Sequence, residues 1–469
     1  MEKRVEYDSV GSMEVDKKAY YGIQSLRASR NFNITGKKIH PELIKSLAEI
    51  KKAAAITNRN SGRLSHKIAN AIIQSCDEII EGKLREEFIV DPIQGGAGTS
   101  TNMNANEVIA NRAIEILNGE KGDYSIVHPN DHVNMAQSTN DVYPTAGKLT
   151  ILKLLPKTIQ QLESLYSAFE YKSKEFDDVI KMGRTQLQDA VPIRLGQEFK
   201  AYASVIKRDI KRITKVSDEM KVINLGATAI GTAINTTPYY LENIVPNLSK
   251  ITKEKLEQAE DLIDATQNLD GFVQVSAALK TCAVNLSKIA NDLRLLSSGP
   301  KTGIGEITLP AKQNGSSIMP GKINPVIPEV VSQVAFNIIG NDFTITMAAE
   351  SGQLELNAFE PVLFYNIFES IETLGSAAKT FVENCIVDIV ANREHCKELL
   401  ENSVGISTAL CPYIGYKKSA SIAKESLKSG KTIKEIVLRE KLMTEEKLKE
   451  VLEPFKLTGI AEEKARKAV

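Results

Sequence analysis

Residues 270–300 read DGFVQVSAALKTCAVNLSKIANDLRLLSSGP, and within them Val275, Leu279, Cys282, Leu286, Ile289, Leu293 and Leu296 recur at spacings of three and four. With about 3.6 residues per turn, that spacing lays one apolar stripe along a helix. The stripe stops at Ser297-Ser298-Gly299-Pro300, a cluster that does not continue a helix. The same period joins Leu152, Leu155, Ile159, Leu162, Tyr166 and Phe169, with a kink expected at Pro156. It returns in Phe199, Tyr202, Ile206, Ile210, Ile213 and Val216. Two more helices are expected from about Pro328 to Ala349 and from Pro361 to Val387, the second carrying Phe364, Phe368, Ile371, Leu374, Ala378, Phe381 and Cys385. Five such helices make a mainly α protein built on a bundle. Segments of roughly 25 to 40 residues would be about 40 to 60 Å long. Helices of that length bury poorly within one chain, and self-association with dihedral symmetry is the natural remedy.

Around the bundle (141–391) the chain has two further segments. Residues 1–140 mix short helices, over Pro41–Asn58 and Lys67–Glu81, with irregular stretches. Residues 13–34, with adjacent Tyr20 and Tyr21, are expected to pack as an arm over the main body. Residues 392–469 form a small C-terminal helical domain, rich in lysine, with solvated faces. A length of 469 residues supports these three domains, since one core does not grow so large. A hydrophobic content of 42% and a charged content of 25% fit a soluble globular protein.

The 59 basic and 59 acidic residues cancel, which argues against a general nucleic-acid binder. No run of about 18 apolar residues is present, and MEKRVEYDSV (1–10) lacks a signal-peptide core, so no membrane partner and a cytoplasmic location are expected. Cys76, Cys282, Cys385, Cys396 and Cys411 are scattered and form no CxxC pair, as in a reduced compartment without structural zinc.

Between two of the bundle helices lies PAKQNGSSIMPGKINPVIPE, residues 310–329. Its glycines and prolines exclude helix and strand. It brings two hydroxyls (Ser316, Ser317), a cation (Lys322) and an amide (Asn324) onto a backbone that bends. Such a loop either reverses the chain or closes over a ligand. Upstream, GTSTNMN (98–104) and STND (138–141) stand where helices begin. Unpaired N–H groups and the positive dipole end favour anions there, although Thr101 or Asn102 serving only as a cap is the plainer alternative. GRTQLQDA (183–190) interrupts the apolar seam between two bundle helices with polar residues, which by itself says little.

Together, GSSIMPGKINP (315–325), GTSTNMN, STND and GRTQLQDA resemble the four active-site segments of the aspartase/fumarase superfamily, in the expected order. Similarity extends from YYGIQSLRASRNF (20–32) to GISTALCPYIGY (405–416). TSTNMN (99–104) in the first motif, where fumarases typically carry a glutamine and a serine in the middle, Thr139 in the second and Glu360 in NAFEP (357–361) follow the aspartase branch. At Gln186 fumarases place a histidine, paired with the glutamate matching Glu329, to handle water. An amide cannot exchange protons near neutral pH, so Gln186 argues against hydration of fumarate.

The resemblance implies reversible removal of ammonia from L-aspartate to give fumarate, through an enediolate-like intermediate. It assigns Ser316 as the general base. Thr99, Ser138, Thr139 and Thr185 would bind the side-chain carboxylate, Asn140 and Gln186 the amino group, and Lys322 and Asn324 the α-carboxylate. Ser317 would support the loop or contact substrate. No cofactor is implied: Lys322 lacks the phosphate cradle of a pyridoxal site. A divalent ion activates some relatives, but no ligand set stands out here. The implied assembly is a homotetramer in which three chains contribute to each site. The alternatives are a class II fumarate hydratase and a catalytically silent superfamily scaffold.

Overall fold

A computed structural model describes residues 2–458. Met1 of the 1–140 segment and residues 459–469 of the C-terminal segment lie outside the described residues. The chain opens with a hairpin of β1 (Lys3–Asp8) and β2 (Gly11–Asp16). Next come α1 (Ile23–Asn31), α2 (Pro41–Asn60), α3 (His66–Ile80), α4 (Thr99–Ile116) and α5 (Thr139–Glu175). A second hairpin, β3 (Ile180–Thr185) and β4 (Gln188–Arg194), leads to α6 (Leu195–Ser217). After it, β5 (Val222–Ile223), α7 (Pro238–Thr252), β6 (Glu257–Gln258) and the one-turn α8 (Asp264–Gln267) precede α9 (Asp270–Leu296). Then come β7 (Ile307–Thr308), α10 (Val326–Glu350), α11 (Glu360–Asn384) and β8 (Val390–Ala391). Short helices close the chain: α12 (Arg393–Asn402), α13 (Cys411–Ile414), α14 (Tyr416–Ser429), α15 (Ile433–Arg439), α16 (Glu445–Val451) and α17 (Pro454–Thr458).

The fold is mainly α, and the five striped segments are its long helices α5, α6, α9, α10 and α11. Two strand pairs were not legible as periodic patterns and are hairpins, β1–β2 and β3–β4. No helix of the described residues is long and apolar enough to cross a membrane.

Residue contacts divide the chain into two compact units whose boundaries fall inside the five long helices. The first contains Met1–Ile159, Lys211–Thr281 and Phe336–Gly375. Its aromatic centre is Phe364 of α11, 5.1 Å from Tyr143, 5.2 Å from Phe272 and 5.6 Å from Phe368 between ring centroids. Such pairs add to area burial through complementary ring charge. Gly147 lets this packing close: a Cβ there would lie 2.1 Å from Phe364 Cζ. The N-terminal arm is clasped by Arg4, whose guanidinium donates to the carbonyls of Asp16, Ala19 and Tyr21 at 2.8, 2.9 and 2.8 Å. Glu107 of α4 caps α1, accepting the N–H groups of Gly22, Gln24 and Ser25. A carboxylate suits a helix start.

The second unit contains Gln160–Ile210, Cys282–Ala335 and Ser376 onward. Phe169 centres it, with Phe199, Tyr202 and Phe381 at 6.1, 5.7 and 6.3 Å. A separate cluster of Leu410, Ile422, Ile433, Ile436, Val437, Leu448 and Val451 holds the C-terminal helices together. A Gly147→Val substitution forces Phe364 from its rotamer, and overpacking of this kind costs about 1–3 kcal/mol. A lowered midpoint in thermal or denaturant unfolding is the expected result, and an unchanged midpoint refutes the packing argument.

Candidate active site

α4 begins at Thr99 because Gly98 adopts φ +86 and lies flat against the Tyr143 ring, where a Cβ would approach Cδ1 to 2.4 Å. The cap comes from neither Thr101 nor Asn102. Gln94 Oε1 accepts the Thr101 N–H at 3.0 Å, and Gln94 Nε2 donates to the Asp91 carbonyl at 2.6 Å. Asn102 instead donates to Thr139 Oγ1 at 3.1 Å, tying the start of α4 to the start of α5. Thr99 is exposed and lines a cavity of about 530 Å³ with Ser100, Arg27, Tyr124, His128 and Asn130.

At the start of α5, Ser138 Oγ accepts the Asn140 N–H at 3.2 Å. Asn140 Nδ2 donates to the Ala229 carbonyl at 2.7 Å, leaving the second hydrogen of that amide for a ligand. Beneath them lies Asp141, fully buried, which accepts the N–H groups of Ser138, Gly226 and Thr228 at 2.9, 3.0 and 3.1 Å. Burial pushes its pKa up to about 6, against the pull of those bonds. Thr139 is buried, and Ser138 and Asn140 are half-buried.

Behind this motif sits Lys51 of α2, with no solvent exposure. Its Nζ donates to Asn134 Oδ1 at 2.8 Å, and the same oxygen accepts from Asn106 at 3.1 Å and Asn102 at 3.3 Å. Burial brings the lysine pKa down to about 7. Neither Lys51 nor Asp141 was singled out from the sequence. The serine three residues before Asp141 was the available signal, since a capping pair has that spacing. Lys51 offered only a cation inside an apolar stretch, EIKKAAAI (49–56).

The remaining nominated residues belong to the other unit. Thr185 and Gln188 flank a two-residue hairpin turn, Gln186-Leu187, with φ +53 and +63. Two consecutive positive φ values match the right-handed strand twist, but neither residue is the glycine or asparagine that adopts them readily. Thr185 and Gln186 are exposed at this tip. Its base is held by buried charge: Arg184 Nη1 donates to Glu306 Oε1 at 2.8 Å, and Lys181 Nζ stands 3.0 Å from Glu306 Oε2 and 2.9 Å from Glu198 Oε1. Glu306 has no solvent exposure.

The 310–329 loop is closed at a neck. Gly315 N–H donates to the Lys322 carbonyl at 2.9 Å, and Asn324 Nδ2 donates to the Gly315 carbonyl at 2.7 Å. A Cβ on Gly315 would lie 2.3 Å from that Lys322 oxygen, so no other residue fits. Within the loop, Ser316 Oγ accepts the N–H groups of Ile318 and Met319 at 3.2 and 3.1 Å. Ser316 is half-buried, while Ser317 and Lys322 are exposed.

A lyase family model matches residues 11–340, and a fumarase C C-terminus model matches residues 406–459. The aspartate ammonia-lyase of a Bacillus species is 54% identical over 98% of this chain and 98% of its own length. That of Helicobacter pylori strain J99 is 52% identical over 96% of this chain and 97% of its own. The chain belongs to the lyase family of the aspartases and class II fumarases. Among solved structures, the fumarate lyase:delta crystallin of Brucella melitensis bound to cobalt superposes with a TM-score of 0.94 at 51% identity, covering 97% of this chain and 99% of that one. The class II fumarase of Schistosoma mansoni gives 0.94 at 36% identity, covering 98% and 99%. Among the described residues of this lyase there is no group of three or more His, Cys, Asp or Glu side chains arranged to hold a metal ion.

Glu360, which follows the aspartase branch in sequence, is buried at the start of α11 in the lyase fold. Burial pushes its pKa up to about 8, with Lys148 as the nearby cation drawing it back. A raised carboxyl pKa means that the folded state keeps its proton while the unfolded chain releases one. Its contribution is therefore fully present below about pH 4.5 and is lost as pH rises through about 8. Lys148 works the other way, because burial holds its pKa down. Comparing wild type with Glu360→Gln isolates the acid. The wild type is expected to lose up to about 1.4 kcal/mol per pH unit more steeply between pH 6 and 8 in denaturant unfolding. Parallel slopes rule this out.

Proposed function

We propose that the protein is a carbon–nitrogen lyase that converts L-aspartate reversibly to fumarate and ammonia. One observation carries the choice of reaction. The backbone is shared with a class II fumarase, whereas the sequence stands at 52–54% identity to aspartate ammonia-lyases and 36% to that fumarase. Gln186 supports the same choice, because an amide does not serve as the proton-transfer partner that hydration needs.

In this reading Ser316 Oγ takes the proton from the substrate β-carbon. The electron pair spreads into the adjacent carboxylate, then returns to form the carbon–carbon double bond as the Cα–N bond breaks and ammonia leaves. A serine hydroxyl is far too weak a base unless it reacts as an oxyanion. The N–H groups of Ile318 and Met319 point at Ser316 Oγ and support that form, and Lys322 adds positive charge to the same loop. Thr99, Ser138, Thr139 and Thr185 would donate to the carboxylate that becomes the enediolate. One such donor is worth roughly 3–4 kcal/mol. Asn140 and Gln186 would hold the amino group, Lys322 and Asn324 the α-carboxylate, and Ser317 the loop. We read the loop as a lid, with Gly321 at φ +79 as one hinge.

We also propose a cytoplasmic homotetramer with sites shared between chains. Support comes from α10, where Phe336, Ile339, Phe343 and Met347 recur at spacings of three and four, with Phe343 still 68% exposed. A contiguous apolar stripe of this kind calls for a partner, and a second copy supplies the matching one.

The test is spectrophotometric. Purified protein with L-aspartate is expected to develop the ultraviolet absorbance of fumarate, and with L-malate to develop none. Growth with malate alone makes it a hydratase; silence with both makes it an inactive relative. Ser316→Ala is expected to lower kcat by about a thousandfold without shifting the melting temperature. Near-normal turnover by the folded variant removes Ser316 as the base.

A further inference from the structure

The chain contains two Asn-Gly pairs, Asn118-Gly119 and Asn314-Gly315. Glycine has no side chain to shield its nitrogen, so an asparagine before it is the one most open to attack by the backbone. In both pairs the glycine N–H is hydrogen-bonded, Gly119 to the Ile114 carbonyl at 2.8 Å and Gly315 to the Lys322 carbonyl at 2.9 Å. Their settings differ. Gly119 closes the end of α4, where a Cβ would lie 2.4 Å from Ile126 Cδ1 and 2.8 Å from Ile114 Cγ2. Freeing its nitrogen means undoing a packed helix end. The Gly315 bond instead closes a neck whose loop, residues 317–323, is exposed throughout, and Asn314 is itself exposed. Segments with little buried contact open at the lowest free energy.

We propose that Asn314 is a site of spontaneous deamidation, gated by the Gly315 N–H to Lys322 carbonyl bond. Once that bond opens, the Gly315 nitrogen attacks Asn314 Cγ. A C–N bond forms, the Cγ–Nδ2 bond breaks, and ammonia leaves carrying the Gly315 proton. Water then opens the five-membered imide at either carbonyl, giving aspartate or isoaspartate. One water is consumed and one ammonia released overall. The chain cannot avoid the reaction by changing the glycine, because only glycine fits against the Lys322 oxygen at that neck. The product carries a new negative charge two residues before Ser316. In the isoaspartyl form the main chain that enters the neck at Gly315 is also one carbon longer. Resting on the lyase reading, an added anion on the loop that holds a dicarboxylate weakens substrate binding, so the enzyme loses affinity with age.

The experiment holds the full-length protein in neutral and mildly alkaline buffer and follows two tryptic peptides, 313–322 and 113–121, by mass. The expected result is that 313–322 gains the mass of an amide-to-acid change several-fold faster than 113–121, and faster still at the higher pH. Equal rates, or a slower 313–322, overturn the proposal. Asn324→Ala removes the second neck bond and is expected to raise the ratio of the two rates severalfold. An unchanged ratio overturns the gate, and general unfolding would raise both rates together. Asn314→Asp is expected to raise KM for L-aspartate severalfold, and an unchanged KM refutes the loss of affinity. The mass readout needs no turnover, so it stands or falls independently of the lyase reading.

Discussion

Asn134 Oδ1 receives the buried ammonium of Lys51 and two asparagine amides, and the starts of α4 and α5 are organised around it. Taking an ammonium and a carboxylate out of water costs several kcal/mol per ion, so Lys51 and Asp141 persist only because their partners are in place. Asp141 draws residues 226–228 against the first turn of α5 by accepting two of their backbone N–H groups, and accepts a third from Ser138. Asn224 Nδ2 then donates to the Asn140 carbonyl, and Asn140 to the Ala229 carbonyl, so the segment grips the motif from both sides. The consequence is a Ser138–Asn140 turn fixed at a helix start, where the positive end of the helix dipole favours an anion. Preorganised donors of this kind require no rearrangement when charge develops.

The second unit obtains rigidity by other means. Its nominated residues stand on turns, and each turn carries a conformational cost. Gln186 and Leu187 are left-handed without being glycine, at roughly 1–2 kcal/mol per residue. Strain of this sort persists when the surroundings over-determine it. Here the surroundings are the four-ion chain of Arg184, Glu306, Lys181 and Glu198 at the hairpin base. Glu306 also holds the segment that enters the loop, through its N–H to Leu296 and its carbonyl to Asn392. One residue thus fixes both, its buried carboxylate holding the strand that ends at Thr185 and its backbone the stretch leading to Ser316.

The long helices were legible because burial on one face imposes a period, and α10 and α11 fall within three residues of the expected 328–349 and 361–387 at every end. α5 begins at Thr139, ahead of the apolar seam, because its first turn is fixed by Asp141 rather than by stripe residues. The hairpins were not legible. The β3–β4 turn lacks the Asn-Gly signature, and in β1–β2 the Asp8 side chain makes the turn by accepting the N–H groups of Val10 and Gly11. α7 was passed over although Thr237 caps it and Pro238 opens it, a start signal present in the sequence. The chemistry-bearing loops came through family resemblance, since period alone says nothing about a loop. Lys51 did not come through at all: a lysine in an apolar stretch looks like a lysine whose stem lies along the surface.

The distribution of exposure bears on how such a site is completed. Leu187 is 71% exposed at the hairpin tip, and Ile318 is 84% exposed in the loop. Catalysis by an oxyanion-like serine needs water excluded, since in water neither the base nor the enediolate is stabilised enough. A half-buried Ser316 beside an exposed Ile318 does not meet that condition by itself. Covering it requires apolar surface from elsewhere, and the stripe of Phe336, Ile339, Phe343 and Met347 is the feature that would bring further copies of the chain together. On our proposal of an assembly with shared sites, association would bring the covering surface with it, and assembly and activity would then share one physical cause. A charge placed at Phe343 would then weaken both, whereas a charge on a solvated face of α14 would affect neither.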